Sequence, residues 1–257
     1  MKKFITLILL LAVFCTGCCR QPSYNTVTQV STIDAILAGA YDGEMACEKL
    51  TSYGNLGIGT FDKLDGEMVL LDSQLYQVKA DGKVYRPAKN LTTPFAAVVN
   101  FKKDISVELK AGTDFESLEK ILNEAAPNMN IFCAVKVAGR FAKMKTRSVP
   151  AQNKPYPPLT EVTKNQPVFE MTQVSGTIVG FRCPAYVKGV GVPGYHLHFI
   201  SRDGKFGGHI LAFEIEKGVA EIDLCNRFLL ILPQEQNGFE SIDFGMDREA
   251  DLEKVEK

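Results

Sequence analysis

Short runs of alternating apolar and polar residues, punctuated by Asp-Gly pairs, dominate this chain and confine much of it to antiparallel β-structure. Three of these pairs, Asp65-Gly66, Asp81-Gly82 and Asp203-Gly204, fall between strand-like runs. Asp-Gly supplies the positive φ that a tight hairpin turn needs, so each pair is expected to fold one strand back on its neighbour. The third pair matters most. Tyr195, Leu197 and Phe199 alternate with His196, His198 and Ile200, which reads as a strand with His196 and His198 on one face. A turn centred on Asp203-Gly204 sets Arg202 against Lys205, Ile200 against Gly207 and His198 against His209. Directly opposed residues share a face, with Cβ atoms roughly 4.5–5.5 Å apart. Gly207-Gly208 is the weak point of this register, because glycine in a strand often marks a bulge.

The hairpin thus gathers the sequence's three histidines at one spot. A catalytic zinc takes three protein ligands, imidazole nitrogens at about 2.0–2.1 Å among them, and keeps a fourth position open. His196, His198 and His209 are therefore read as ligands of a Zn2+ ion. Other first-row metals would also bind three imidazoles.

Elsewhere the chain reads as α+β and β-rich, with two closely packed mixed-sheet domains and a few short helices, preceded by an export signal. Ser31–Asp34 can cap a helix through Ala40, and a second short helix is expected over Glu44–Leu50. Strands are expected at Gly57–Phe61, Glu67–Leu71, Gln74–Lys79, Phe95–Phe101 and Ile105–Leu109. Thr113-Asp114-Phe115-Glu116 reads as a capping box, opening a helix with Phe115, Leu118, Ile121, Leu122 and Ala125 on one stripe. Asn130–Val137 and Phe141–Thr146 return to strand. Four prolines between Pro150 and Leu159 suggest a boundary, since such a segment cannot join a central strand. Beyond it, strands are expected at Val168–Val174, Thr177–Cys183, Tyr195–Ile200, His209–Ile215, Val219–Asp223 and Phe228–Leu232, with a terminal helix over Arg248–Glu256. The expected organisation is residues 1–18 as signal, 19–30 as linker, 31–150 as an N-terminal β-rich domain with helices, and 151–257 as a C-terminal β domain carrying the histidine hairpin.

Met1-Lys2-Lys3 followed by the almost unbroken apolar run Phe4–Phe14 is an export signal, too short to span a bilayer comfortably. Thr16-Gly17-Cys18 resembles the end of a lipoprotein signal, so Cys18 is the expected site of lipidation. The expected location is the cell envelope, anchored to the membrane by that lipid, with simple secretion as the alternative. A formal net charge of −1 leaves no basic excess to neutralise phosphates, and nucleic acid is not an expected partner. Cys47, Cys133, Cys183 and Cys225 are widely spaced without a Cys-x-x-Cys pair and read mainly as small buried residues.

Three blocks carry a family resemblance. Val192-Pro193-Gly194-Tyr195-His196-Leu197-His198-Phe199-Ile200 with Gly207-Gly208-His209 is the first; Lys154-Pro155-Tyr156-Pro157-Pro158-Leu159-Thr160-Glu161-Val162 is the second. Gly59-Thr60 through Leu64-Asp65-Gly66-Glu67-Met68 is the third. Together, with matching chain order and similar spacing, they resemble bacterial α-acetolactate decarboxylase, from about Gln29 to the C-terminus. The resemblance implies one zinc on His196, His198 and His209, with Glu67 and Glu256 beside it, Arg147 as a substrate-binding and catalytic residue, and Thr60 in the pocket. It implies a small-molecule substrate, (S)-2-acetolactate, which loses carbon dioxide to give (R)-acetoin through a metal-stabilised enediolate. A homodimer is compatible with the sequence. The rival readings are another three-histidine zinc enzyme of the hydratase or cupin type, and a non-catalytic exported zinc-binding lipoprotein. A cupin places a glutamate soon after His-x-His, and Phe199-Ile200-Ser201-Arg202 contains none. A structural zinc would be closed by four protein ligands, whereas a catalytic one faces open space.

Overall fold

The computed structural model describes residues 24–88, 90–234 and 238–256. The expected export signal, Cys18 and the first part of the expected linker lie outside them. The chain runs β1 (Thr26–Val30), α1 (Ile33–Leu37), β2 (Met45–Ala46), α2 (Cys47–Leu50), β3 (Leu56–Thr60), β4 (Glu67–Leu71), β5 (Gln74–Val78), β6 (Val84–Tyr85), β7 (Thr92–Thr93), β8 (Ala96–Val99), β9 (Ile105–Leu109) and α3 (Phe115–Ala125). It continues through β10 (Phe132–Arg147), α4 (Leu159–Val162), β11 (Val168–Cys183), β12 (Gly194–Ser201), β13 (Gly207–Cys225), β14 (Arg227–Ile231) and α5 (Glu249–Glu256).

Two sheets hold the molecule together. The first has seven strands in the order β14-β1-β8-β3-β4-β5-β6, with β1 and β14 parallel and the other pairs antiparallel. The second has the order β10-β11-β12-β13-β9, and β10 also pairs with β13, closing a circuit of four strands. Val27, Leu56, Ile58, Val69 and Val99 of the first sheet meet Ala134, Val179, Phe181 and Ile200 of the second in one buried core. The opposite face of the second sheet is covered by α3, whose Leu118 and Leu122 are buried and whose Phe115, Ile121 and Ala125 pack around them. This is the stripe expected from helical periodicity. The cap is Asp114, whose Oδ1 accepts from the Ser117 amide at 2.9 Å, so the helix starts one residue later than a Thr113 capping box would place it.

The sheets do not follow the expected division at Pro150. Strand β10, from before the prolines, belongs to the second sheet, and β14, from near the C-terminus, belongs to the first. The described end of the expected linker is β1, an inner strand. The proline-rich segment is a surface crossing between strands of one sheet, since β10 and β11, on either side of it, pair along nearly their full lengths.

Three further expectations are corrected in the same way. Asn130–Val137 and Phe141–Thr146 form the single 16-residue strand β10, Val168–Val174 and Thr177–Cys183 form the 16-residue β11, and His209–Ile215 and Val219–Asp223 belong to the 19-residue β13. The expected breaks fall at Gly139, Gly176 and Gly218. These three stand side by side, Gly139 opposite both Gly176 and Gly218. A Cβ at Gly139 would lie 2.6 Å from the Lys217 carbonyl oxygen, and one at Gly176 would lie 2.4 Å from that of Ile200. The glycines thus mark close backbone approach inside long strands, a role that glycine shares with strand ends.

A buried arginine ties α3 to the sheet. Arg182 is 1% exposed and donates to Ala126 O at 2.7 Å, Asn128 O at 2.9 Å and Asn123 Oδ1 at 3.0 Å. These acceptors cluster at the C-terminal end of α3, where orphan carbonyls and the helix dipole favour a cation. The guanidinium is thereby compensated without a carboxylate.

Candidate active site

The hairpin between β12 and β13 adopts the expected register: Ile200 faces Gly207, Phe199 faces Gly208 and His198 faces His209. Ser201 and Phe206 close a loop in which the Gly204 amide donates to Ser201 O at 2.9 Å and Gly204 takes φ +65°. Gly208 sits at φ +130°, with the position of a Cβ 2.4 Å from Arg147 O. That conformation leaves the β12 register intact. The irregularity appears on the other edge of β13, where the pairing with β10 shifts between Lys145 and Thr146 and brings Arg147 opposite His209.

The three imidazoles converge. His196 Nε2 lies 3.3 Å from His198 Nε2 and 3.2 Å from His209 Nδ1, and the ring centroids are 5.0–5.4 Å apart. His198 Nδ1 donates to the Met68 carbonyl at 2.9 Å, which places its proton there and leaves Nε2 as a bare lone pair facing the other rings. Burial, with help from the charge of Arg147, lowers His196 to about 3 and holds His198 and His209 well below the ordinary imidazole range. All three are therefore neutral at neutral pH, the state a metal ligand requires. His198 Nε2 is bare and His196 Nε2 can donate to only one neighbour, so at least one of these two close N···N contacts is left without a hydrogen bond. A cation among them removes that conflict. Nitrogens on a tetrahedral ion at about 2.0–2.1 Å stand about 3.3 Å from one another, and the two shortest separations here match that edge. The donor set fits a divalent metal ion.

Around the triad stand two carboxyls and one guanidinium. Glu67, the first residue of β4, puts Oε2 3.5 Å from His198 Nε2. Glu256, at the end of α5, has Oε2 3.9 Å from His196 Nε2 and 4.0 Å from His209 Nε2. Burial raises both carboxyls to about 7, against the opposing pull of Arg147, and Glu256 adds to the rise of Glu67. Arg147, 5% exposed, donates from Nη1 to Gln166 Oε1 at 2.7 Å and from Nη2 to the Val255 carbonyl, while its Nε is buried without a partner. Thr60 Oγ1 donates to Gly66 O at 2.7 Å, so its oxygen is left as an acceptor.

These groups line a cavity of about 60 Å³ together with apolar residues that include Ile33, Ile36, Leu64, Phe95 and Leu159. The space suits a small molecule and not an oligosaccharide or nucleotide. Every residue singled out from the described sequence, namely Thr60, Glu67, Arg147, His196, His198, His209 and Glu256, borders it. Sequence reasoning missed Gln166 and the Val255 carbonyl, which orient Arg147. A glutamine after a proline-rich stretch carries no pattern, and a backbone carbonyl carries none at all.

A β-rich scaffold holding a histidine triad, two protonatable carboxyls and a buried arginine around a small cavity defines an enzyme-like centre. The sequence profile of the alpha-acetolactate decarboxylase family matches residues 27–246. The alpha-acetolactate decarboxylase of Methanosarcina mazei is 49% identical over 233 residues, covering 91% of this chain and 81% of its own. That of Bacillus subtilis strain 168 is 37% identical over 237 residues, covering 92% and 93%. The crystal structure of the latter superposes with a TM-score of 0.87 at 36% identity, over 90% of this chain and 98% of its own. The chain belongs to the alpha-acetolactate decarboxylase family and is a decarboxylating lyase. Family membership displaces the hydratase, cupin and non-catalytic lipoprotein readings.

Proposed function

We propose that this protein is a zinc enzyme converting (S)-2-acetolactate to (R)-acetoin and carbon dioxide through an enediolate. The observation that carries the reading is the convergence of three neutral imidazoles beside two carboxyls raised to about 7. His196, His198 and His209 would hold the zinc ion, which would supply a Lewis acid favouring the negative charge that develops during the reaction.

Cleavage of the bond between C2 and the carboxylate leaves an electron pair, which moves into the adjacent carbonyl to give the enediolate. One proton must then reach C2. Glu67 holds it: burial keeps its carboxyl near 7, a value matched to proton transfer at neutral pH. Delivery from one fixed side chain reaches one face of C2 and gives one enantiomer. Glu256 serves as a further metal ligand or as the partner that exchanges protons with Glu67. Arg147 meets the departing carboxylate or the enediolate through the guanidinium edge bearing the unpartnered Nε–H, with Gln166 and Val255 fixing its plane. The Thr60 oxygen accepts from the substrate hydroxyl, since its own proton is committed to Gly66.

The test is incubation of the purified protein with racemic 2-acetolactate, following acetoin and its optical rotation. The expected result is (R)-acetoin, abolished by a chelator and restored by zinc. Full activity after metal stripping would overturn the metal role, and absence of acetoin would overturn the reading. The location we propose is the cell envelope, with Cys18 lipidated; a Cys18→Ala variant that still incorporates labelled fatty acid contradicts it.

A further inference from the structure

The loop joining β3 to β4 holds two consecutive residues, Lys63 and Leu64, at φ 60°. Residues with a Cβ rarely adopt this region, and two in succession are strained. The surroundings enforce it. The Lys63 amide donates to Tyr41 O at 2.8 Å, and the Lys63 carbonyl accepts from the Gln152 amide at 2.7 Å. The Leu64 carbonyl accepts from the Gly66 amide at 2.8 Å. Asp65 is held next, its carbonyl by Gln77 Nε2 at 2.6 Å and its Oδ2 by Lys79 Nζ at 2.7 Å. The loop is thus pinned from Lys63 to Glu67, the residue that pairs with Thr60 across β3 and β4. One consequence of the left-handed backbone is where Leu64 lies: 3% exposed and lining the small cavity with Glu67. Ile33 and Ile36 reach the same cavity from α1, and Leu159 from α4. Leu64 comes from the segment that also delivers Glu67.

We propose that Leu64 is a specificity-determining residue whose isobutyl group sets the largest alkyl substituent on C2 that the cavity accepts. A strained backbone persists where its surroundings over-determine it, and here the determined quantity is the reach of one side chain into about 60 Å³. The inference rests on the reading of this cavity as the site of 2-acetolactate decarboxylation.

The test compares wild type, Leu64→Ala and Leu64→Phe on 2-acetolactate and on its homologue with ethyl in place of the C2 methyl. The readout is the ratio of kcat/KM for ethyl over methyl, which cancels any difference in the fraction of folded enzyme. One methylene in a tight apolar site changes kcat/KM by about tenfold or more. Leu64→Ala is expected to raise the ratio by about tenfold, and Leu64→Phe to lower it below wild type. A ratio in Leu64→Ala within about twofold of wild type overturns the proposal. A wild type inert on both compounds overturns the reading of the cavity instead.

Discussion

The proton on His198 is fixed by one hydrogen bond, from Nδ1 to the Met68 carbonyl, and that bond decides which nitrogen faces the other two rings. It also ties the second sheet to β4, the strand that starts with Glu67. Replacing His198 with alanine leaves two imidazoles, too few for a tight divalent site. His198→Ala should lose bound metal and activity together, as measured by elemental analysis and turnover on one sample; normal metal content would contradict the ligand assignment. Glu67→Gln keeps the shape but cannot release a proton. It should retain the metal and slow turnover by about a hundredfold or more. An unchanged rate would remove Glu67 from proton transfer.

Among the elements, α5 does the most for its length. Its last turn supplies Glu256 and the Val255 carbonyl that holds Arg147, while Val255 and Leu252 pack against Ile33, Ile36 and Leu159. Its start is latched by ion pairs: Arg248 Nη1 lies 4.0 Å from Asp34 Oδ2, both largely buried, and Lys188 bridges Asp247 at 3.1 Å and Glu249 at 2.7 Å. Asp34 also meets the loop at Gly189, whose carbonyl accepts its amide at 3.2 Å. Loosening this latch shifts Glu256 and Arg147 without touching a histidine. Arg248→Ala should therefore lower kcat by about ten- to a hundredfold, the scale of ångström misplacement, with metal content preserved. Wild-type kcat in that variant would show that α5 docks through its apolar face alone.

At the scale of the whole molecule, two sheets share one core and place the site where the end of the histidine hairpin meets β4. The cysteines report on the packing around these sheets: Cys225 lies in the shared core, Cys47 in the cluster with Leu50, Phe61 and Met68, and Cys133 in the cluster with Leu118 and Leu122. Cys47, Cys133 and Cys225 are buried, and all four described cysteines are free. Burial pushes Cys47 up to about 12 and Cys225 higher still. The sign is that of a thiol whose charged form is disfavoured, so the reactive thiolate is about 1 part in 10⁴ or less at pH 8. Iodoacetamide at pH 8, followed by mass spectrometry, should label Cys47 and Cys225 only after denaturation. Rapid labelling of either in the native protein would mean that the cluster around that cysteine opens readily.

Much of this was legible in the chain itself because strand alternation and Asp-Gly turns are local signals. They placed His198 opposite His209 from a few consecutive residues, and the stripe of α3 followed from its own periodicity. The family resemblance pointed to Glu67, Arg147 and Thr60, yet nothing local joined them to the histidines. Only the tertiary structure decided that β10 belongs with the later strands, that Gly139, Gly176 and Gly218 stand in one row, and that Gln166 and Val255 hold Arg147. Those facts depend on pairing between segments dozens of residues apart or more. Sequence determined the faces of the strands because side-chain direction alternates along the backbone. Packing between sheets determined which faces meet, because burial and hydrogen bonding are satisfied by whatever lies opposite in space.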